Sequence, residues 1–253
     1  MPDRKAPLIL ILGGTADAAT LARRLAVERP EVEVLTSLAG RVRNPRPLPG
    51  RVRIGGFGGA EGLAAFLRDA RVALAIDATH PFAAQISAHA RAACDAAGVP
   101  RLQIRRPEWP RHADDRWIET DTTEEAALRL PGIGRRAFLT VGVGELAPFA
   151  DLPGIWCLVR VVDPPAAPLL SGPHLALAAR GPFAEADEIA LMRKHRIDVL
   201  VTKHAGGDAT YGKIAAARKL GIPVLMIRRP PAEPGDAAPP EKAMTWIAEK
   251  LEK

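Results

Sequence analysis

Cysteine is nearly absent: Cys94 and Cys157 stand alone and far apart in a chain of 253 residues. That excludes a disulfide framework and a cysteine-based metal site. Aromatic residues make up only 4% of the chain, with a single tyrosine, and no stacking motif of the RNA-recognition kind is present. No apolar run is as long as a membrane span, and the first residues lack the apolar core of a signal peptide. These features lead to the expectation of a soluble, cytoplasmic protein with no membrane partner. No heptad pattern or exposed apolar stripe argues for a dimer, so a monomer is the default expectation.

Hydrophobic residues, by contrast, make up 47% of the chain. That is enough for one large α/β domain or two of modest size, each with a real core. The formal net charge is +6, and arginine dominates near likely loops: Arg41, Arg43, Arg46, Arg51 and Arg53, then Arg101, Arg105, Arg106 and Arg111. Nucleic acid is one reading of that excess, and the scarcity of aromatics speaks against it. An acidic small molecule fits better, because a guanidinium matches phosphates and carboxylates bidentately. A solvated basic surface is the plain alternative.

The most informative stretch is Leu8-Ile9-Leu10-Ile11-Leu12-Gly13-Gly14-Thr15-Ala16-Asp17-Ala18. Five apolar residues run into two glycines and a threonine, and a helical pattern follows. Such a strand–turn–helix lets backbone approach a phosphate, and the helix N-terminus favours its charge. The full dinucleotide fingerprint is not met, since no third glycine stands at or near Ala18. An ordinary turn of an α/β core remains the alternative.

A helix is expected from about Asp17 to Glu28, then a strand over Val32–Thr36 leading to Ser37-Leu38-Ala39-Gly40-Arg41. A dinucleotide-binding unit that prefers NAD places Asp or Glu at that strand end, to hold the ribose 2′-hydroxyl. Here Thr36 and Ser37 stand there, with Arg41 beyond. A hydroxyl plus a guanidinium suits a 2′-phosphate, so NADP(H) is expected over NAD(H); a simple turn with a solvated arginine is the other reading. A short strand Val52–Ile54 ends in Gly55-Gly56-Phe57-Gly58-Gly59, where glycines permit close backbone approach and Phe57 could pack on a base. A buried strand over Val72–Ile76 delivers Asp77-Ala78-Thr79-His80-Pro81-Phe82-Ala83. Ligands bind at the carboxyl ends of parallel strands, which puts Thr79 and His80 over a cofactor. Pro81 suits the first turn of the next helix. His80 is a candidate proton donor, or only a residue that caps or orients the chain.

A helix over 83–97 and a strand over Arg101–Ile104 precede Arg105-Arg106-Pro107-Glu108-Trp109-Pro110. The prolines there predict a domain boundary, with Trp109 as a wedge or a pocket wall. The second half repeats the α/β rhythm. Strands are expected at 116–120, 137–141, 156–161, 174–178, 199–202 and 224–227, and helices near 123–129, 184–195, 210–220 and 240–252. Glycine-bearing turns follow several strands, among them Thr202-Lys203-His204-Ala205-Gly206-Gly207.

Together these segments resemble the precorrin-6A reductase family. The resembling pieces are Leu12-Gly13-Gly14-Thr15-Ala16-Asp17-Ala18, Ser37-Leu38-Ala39-Gly40-Arg41, Gly55-Gly56-Phe57-Gly58 and Asp77-Ala78-Thr79-His80-Pro81-Phe82-Ala83. In the second half they are Arg106-Pro107-Glu108-Trp109, Arg180-Gly181-Pro182-Phe183, the Thr202–Gly207 turn, and Gly221-Ile222-Pro223-Val224 through Arg229-Pro230. The resemblance keeps its order over nearly the whole chain.

It implies an α/β protein of two Rossmann-like domains with mainly parallel sheets, at 1–107 and 108–253, with ligands in the cleft between them. It implies reduction of a carbon–carbon double bond of precorrin-6A by NADPH to give precorrin-6B, in cobalamin biosynthesis, with no metal. The many carboxylates of that tetrapyrrole account for the arginines without nucleic acid. Carried over by position, Gly13, Gly14, Thr15 and Ala16 hold the pyrophosphate, and Ser37 and Arg41 the 2′-phosphate. Gly56 and Phe57 lie along the nucleotide, and Thr79, His80 and Pro81 lie near the nicotinamide. Arg106, Lys203, Gly206 and Gly207 fall to the substrate, Lys203 and the two glycines alternatively to cofactor phosphate. Asp17 and Ala205 depart from the glutamate and serine common in the family. The alternatives are a cobalt-precorrin-6A reductase using NADH, against which Ser37 and Arg41 speak, and a non-catalytic NADP-binding redox sensor. A short-chain dehydrogenase is disfavoured, since Tyr211-Gly212-Lys213 does not put both side chains on one helical face.

Overall fold

The computed structural model describes residues 6–40 and 45–252. The chain divides into two compact units, one of residues up to Arg106 together with Pro230 onward, the other of Pro107–Arg229.

The first unit is built on a parallel six-stranded sheet. Its strands are β1 (Leu8–Leu12), β2 (Glu33–Leu38), β3 (Arg51–Ile54), β4 (Val72–Asp77), β5 (Arg101–Ile104) and, from the far end of the chain, β12 (Ala237–Ala238). They lie in the order β12-β5-β4-β1-β2-β3. Every residue of β1 is buried, as a strand covered on both faces requires. Ile9 and Ile11 pack with Leu21 and Leu25 of α1 (Ala16–Glu28) and with Ala243 and Ile247 of α7 (Ala243–Leu251). Leu8, Leu10 and Leu12 face the other way, toward Leu63 and Leu67 of α2 (Gly59–Asp69) and Ala90 and Ala93 of α3 (Ala84–Ala97). The buried positions of α1, namely Ala18, Leu21, Ala22 and Leu25, follow the spacing of one helical face. Filling Leu25's place with alanine would cost about 2–5 kcal/mol.

The second unit has its own parallel sheet: β6 (Trp117–Thr120), β7 (Arg136–Leu139), β8 (Trp156–Val161), β9 (His174–Ala178), β10 (Val199–Lys203) and β11 (Val224–Ile227), in the order β6-β11-β10-β7-β8-β9. α4 (Thr123–Arg129), α5 (Glu185–Lys194) and α6 (Gly212–Leu220) accompany it. Phe138, Leu158, Leu200, Ile214 and Met226 form the centre of its core.

The two-unit α/β architecture expected from the sequence is present, with both sheets wholly parallel. Three details differ. The expected division at 107/108 left residues 230–253 with the second unit, but they complete the first: β12 pairs with β5, and α7 packs in the core of α1 and β1. β2 continues through Leu38, so Ser37 lies inside a strand rather than in the turn after it. α3 begins at Ala84, so Pro81 is not in its first turn; residues 80–83 form a turn of their own, closed by the Ala83 N–H on the His80 carbonyl at 2.7 Å.

Candidate active site

In each sheet one strand has neighbours whose connections leave in opposite directions. For the first sheet that switch lies between β1 and β4, and the carboxyl ends there are where an open α/β sheet leaves a crevice. β1 ends in Gly13-Gly14-Thr15 and β4 in Asp77-Ala78-Thr79-His80, so two of the predicted segments meet at this point. The turns are joined directly: the Thr15 hydroxyl donates to the Ala78 carbonyl at 2.7 Å, and the Ala78 N–H to the Leu12 carbonyl at 3.0 Å.

The four residues expected to hold a pyrophosphate have different jobs. The Gly13 N–H is spent on the Ser37 carbonyl at 2.9 Å, and a Cβ there would lie 2.9 Å from Thr36 Cγ2. Gly13 therefore lets the turn close against β2. Gly14 has φ +102° with open space around it, a backbone conformation that suits glycine. Thr15 is the N-cap of α1, its hydroxyl accepting from the Ala18 N–H at 3.2 Å. The Ala16 and Asp17 amides, in the first turn, have no intrahelical acceptor. With the helix dipole they form a cradle that fits an anion. Asp17 adds a carboxylate beside it, and Arg106 pairs with that carboxylate. Arg106, expected to meet substrate carboxylates, thus stands beside the first turn of α1 and offsets the charge of Asp17.

Ser37 is buried in β2, in register with Leu12 on one side and Arg53 on the other. Arg41 lies outside the described residues. The strand end carries no carboxylate, and Arg53, noted in the sequence only as one of several loop arginines, has a definite place. Its guanidinium donates to the carbonyls of Gly55 and Gly56, both at 2.6 Å, and lies 4.0 Å over the Phe57 ring. That ring also meets Phe66 at 5.1 Å, and the Phe57 carbonyl approaches Gly62 so closely that a Cβ there would sit 1.8 Å away. Gly56 and Phe57 are therefore held in a fixed loop by Arg53 and α2.

At the end of β4, Asp77 is 1% exposed. Its Oδ1 accepts from the Thr79 N–H at 3.2 Å and the Thr79 hydroxyl at 2.7 Å. His80 Nδ1 accepts from the Phe82 N–H at 3.3 Å, so the neutral ring carries its proton on Nε2. His80 and Pro81 are partly exposed.

In the second sheet the switch falls between β7 and β10, and Lys203 stands at the carboxyl end of β10. Its Nζ donates to Glu145 Oε2 at 2.6 Å, and the same oxygen accepts from the Gly142 N–H at 2.9 Å. The turn after Lys203 is fixed from several sides. Arg229 donates to the carbonyls of His204 at 2.7 Å and Ala205 at 2.8 Å. His204 Nε2 accepts from the Trp109 N–H at 3.0 Å, and the Trp109 indole donates to the Gly207 carbonyl at 2.7 Å. Burial pushes the His204 pKa down, consistent with a neutral acceptor. Gly206 has φ +67°, and a Cβ there would lie 2.3 Å from the Pro107 carbonyl oxygen, so tight packing accounts for this glycine. Trp109 is a core residue of the second unit.

Lys213 is the least expected feature. It is buried in α6, its Nζ donating to the Thr210 carbonyl at 2.9 Å and lying 5.0 Å from the Trp109 ring centre. Close by, Arg160 and Glu188 form a buried ion pair at 2.7 Å. Burial, and then Arg160, lower the lysine pKa to about 7. Cys94 and Cys157 are buried and free, their thiols pushed up to about 11 by burial. Such thiols are poor nucleophiles. Among the described residues no group of three or more His, Cys, Asp or Glu could hold a metal ion, and no helix is long and apolar enough to cross a membrane.

Comparison with known proteins finds one family over nearly the whole length. The family model "Precorrin-6x reductase CbiJ/CobK" matches residues 8–248. A precorrin-6A reductase of Rhodococcus erythropolis is 52% identical over 242 residues, 94% of this chain and 96% of that one. One from Sinorhizobium sp is 50% identical over 246 residues, covering 97% and 94%. The solved structure of a CobK precorrin-6A reductase superposes with a TM-score of 0.91 at 41% identity, covering 96% of this chain and 97% of that one.

Proposed function

From the premise that the chain belongs to the precorrin-6x reductase CbiJ/CobK family, we propose that it is a precorrin-6A reductase of cobalamin biosynthesis that uses NADPH and forms precorrin-6B. The observation that carries the reading is the junction at the first switch point, where the Gly14–Asp17 turn and the Thr79–His80 turn are tied by the Thr15–Ala78 hydrogen bond. An anion cradle and a polar turn at one sheet edge are what a dinucleotide needs at its two ends.

When bound, NADPH would supply the hydride for a carbon–carbon double bond of the macrocycle, with a proton added at the neighbouring carbon and NADP⁺ left behind. The chain's own groups do the rest. The free amides of Ala16 and Asp17 hold the pyrophosphate, with Gly14 permitting its approach. Ser37 and Arg41, at a strand end without a carboxylate, favour the 2′-phosphate. Gly56 and Phe57, locked by Arg53, line the nucleotide, and Thr79, His80 and Pro81 face the nicotinamide. His80 Nε2–H is the proton-bearing atom offered at that turn. Lys203, oriented by Glu145, and the Gly206–Gly207 backbone meet substrate carboxylates, with Arg106 as a further cation by the pyrophosphate turn.

The test is oxidation of NADPH by the purified protein with precorrin-6A. One NADPH consumed per precorrin-6B formed is the expected result. Tight NADPH binding with no oxidation would refute it in favour of a nucleotide sensor.

A further inference from the structure

At the carboxyl end of β4 and the start of β5 the first unit buries a charged pair. Asp77 and Arg101 have side chains 1% and 5% exposed, and Asp77 Oδ2 lies 3.9 Å from Arg101 Nη1. Neither of these two atoms makes a hydrogen bond among the described residues. A buried pair at that distance stabilises poorly, since desolvation offsets its attraction. The other ends of both side chains are engaged. Asp77 Oδ1 takes both the N–H and the hydroxyl of Thr79, and the Thr79 hydroxyl is 3.5 Å from Ser87 Oγ on α3. Arg101 Nη2 donates to the Pro234 carbonyl at 2.7 Å, in the segment that returns to form β12. Ala83, the N-cap of α3, brings no side-chain cap to the end of the turn.

We infer that Asp77 is a positioning residue: its carboxylate, set against Arg101, fixes the Thr79–His80 turn that faces the nicotinamide, and Arg101 in turn is aimed by the returning chain at Pro234. A doubly accepting carboxylate oxygen is the feature an asparagine reproduces only in part. Asparagine keeps one neutral acceptor, gives up the charge-assisted strength of both bonds and leaves Arg101 without its counter-charge. The cost falls on alignment, and a misplacement of about 1 Å at a reacting centre is worth about a hundredfold in rate.

This inference rests on the reductase reading, and the experiment separates the two. Wild type, Asp77→Ala, Asp77→Asn and Thr79→Val are compared for kcat, KM, the isotope effect with 4-deuterated NADPH and NADPH affinity by fluorescence. Expected are a loss of about a hundredfold in kcat for Asp77→Ala, a smaller loss for Asp77→Asn, and a KM within about threefold of wild type. The isotope effect should rise as hydride transfer becomes limiting. In the free protein, the ¹⁵N signal of His80 Nδ1 should leave its hydrogen-bonded position in Asp77→Ala, a readout that needs no turnover. Should Asp77→Ala not fold, Thr79→Val removes only the hydroxyl bond and must still lower kcat and raise the isotope effect. A folded Asp77→Ala with wild-type kcat and an unmoved His80 signal overturns the inference. A wild type that never oxidises NADPH with precorrin-6A overturns the reductase reading instead.

Discussion

Replacing Lys213 by methionine should remove a pH dependence from the stability of the second unit. An unfolded lysine titrates near its ordinary 10.5, whereas in the folded protein burial and Arg160 bring Lys213 to about 7. Between these values the unfolded state binds the extra proton, so unfolding becomes harder as pH rises, by up to about 1.4 kcal/mol per unit. Below 7 both states are protonated, and the penalty for burying the cation is constant. Between pH 7, where the folded lysine is half-charged, and pH 9, the gain comes to roughly 2 kcal/mol. Methionine has a similar reach and no charge to bury, so the variant lacks this rise. The assay is urea unfolding at pH 7, 8 and 9, followed by tryptophan fluorescence; Trp109, Trp117 and Trp156 all lie in the second unit. Other titrating groups cancel in the difference between wild type and variant. Parallel pH profiles for the two proteins would refute the assignment of a buried, mostly neutral lysine beside the Arg160–Glu188 pair.

Gly206→Ala should cost at least about 2–3 kcal/mol, since it puts a side chain both in the left-handed region and against the Pro107 carbonyl; an unchanged melting temperature would contradict the packing described. His80→Ala should lower kcat by about a hundredfold or more if Nε2–H delivers the proton, and full turnover would leave His80 a binding role only. Arg41→Ala should weaken NADPH far more than NADH in equilibrium binding, and equal losses would remove the 2′-phosphate assignment.

Much of the architecture could be read from local pattern, because the parallel strands are short apolar runs bounded by glycine, proline or charge. β5, β8, β9 and β11 fall at the expected residues. The Gly13–Thr15 turn and the Thr79–His80 turn were legible for the same reason, each being a break placed at a strand's carboxyl end. What the pattern could not carry was partnership at a distance. β12 is two alanines in a proline-rich run, with no periodicity to mark it, and its place beside β5 is decided by an edge that lies far back in the chain. The apolar face of α7 was readable as a helix, though not as a cover for α1. The positioning roles of Arg53, Asp77 and Glu145 were not legible, because the meaning of such a charge depends on a partner that the sequence does not mark. Gly13 and Gly206 read as ligand-approach glycines, and both also meet close neighbouring protein atoms; a sequence shows those two demands identically.

The return of the chain to β5 also sets an order of events during synthesis. About 130 residues separate β5 from β12, which at ribosomal speed is roughly 7–26 s of elongation. Throughout that interval the nascent first sheet has an open edge at β5, while the whole second unit emerges and is free to fold. The first unit, first to be translated, is thus the last to be finished, and its completion waits on α7.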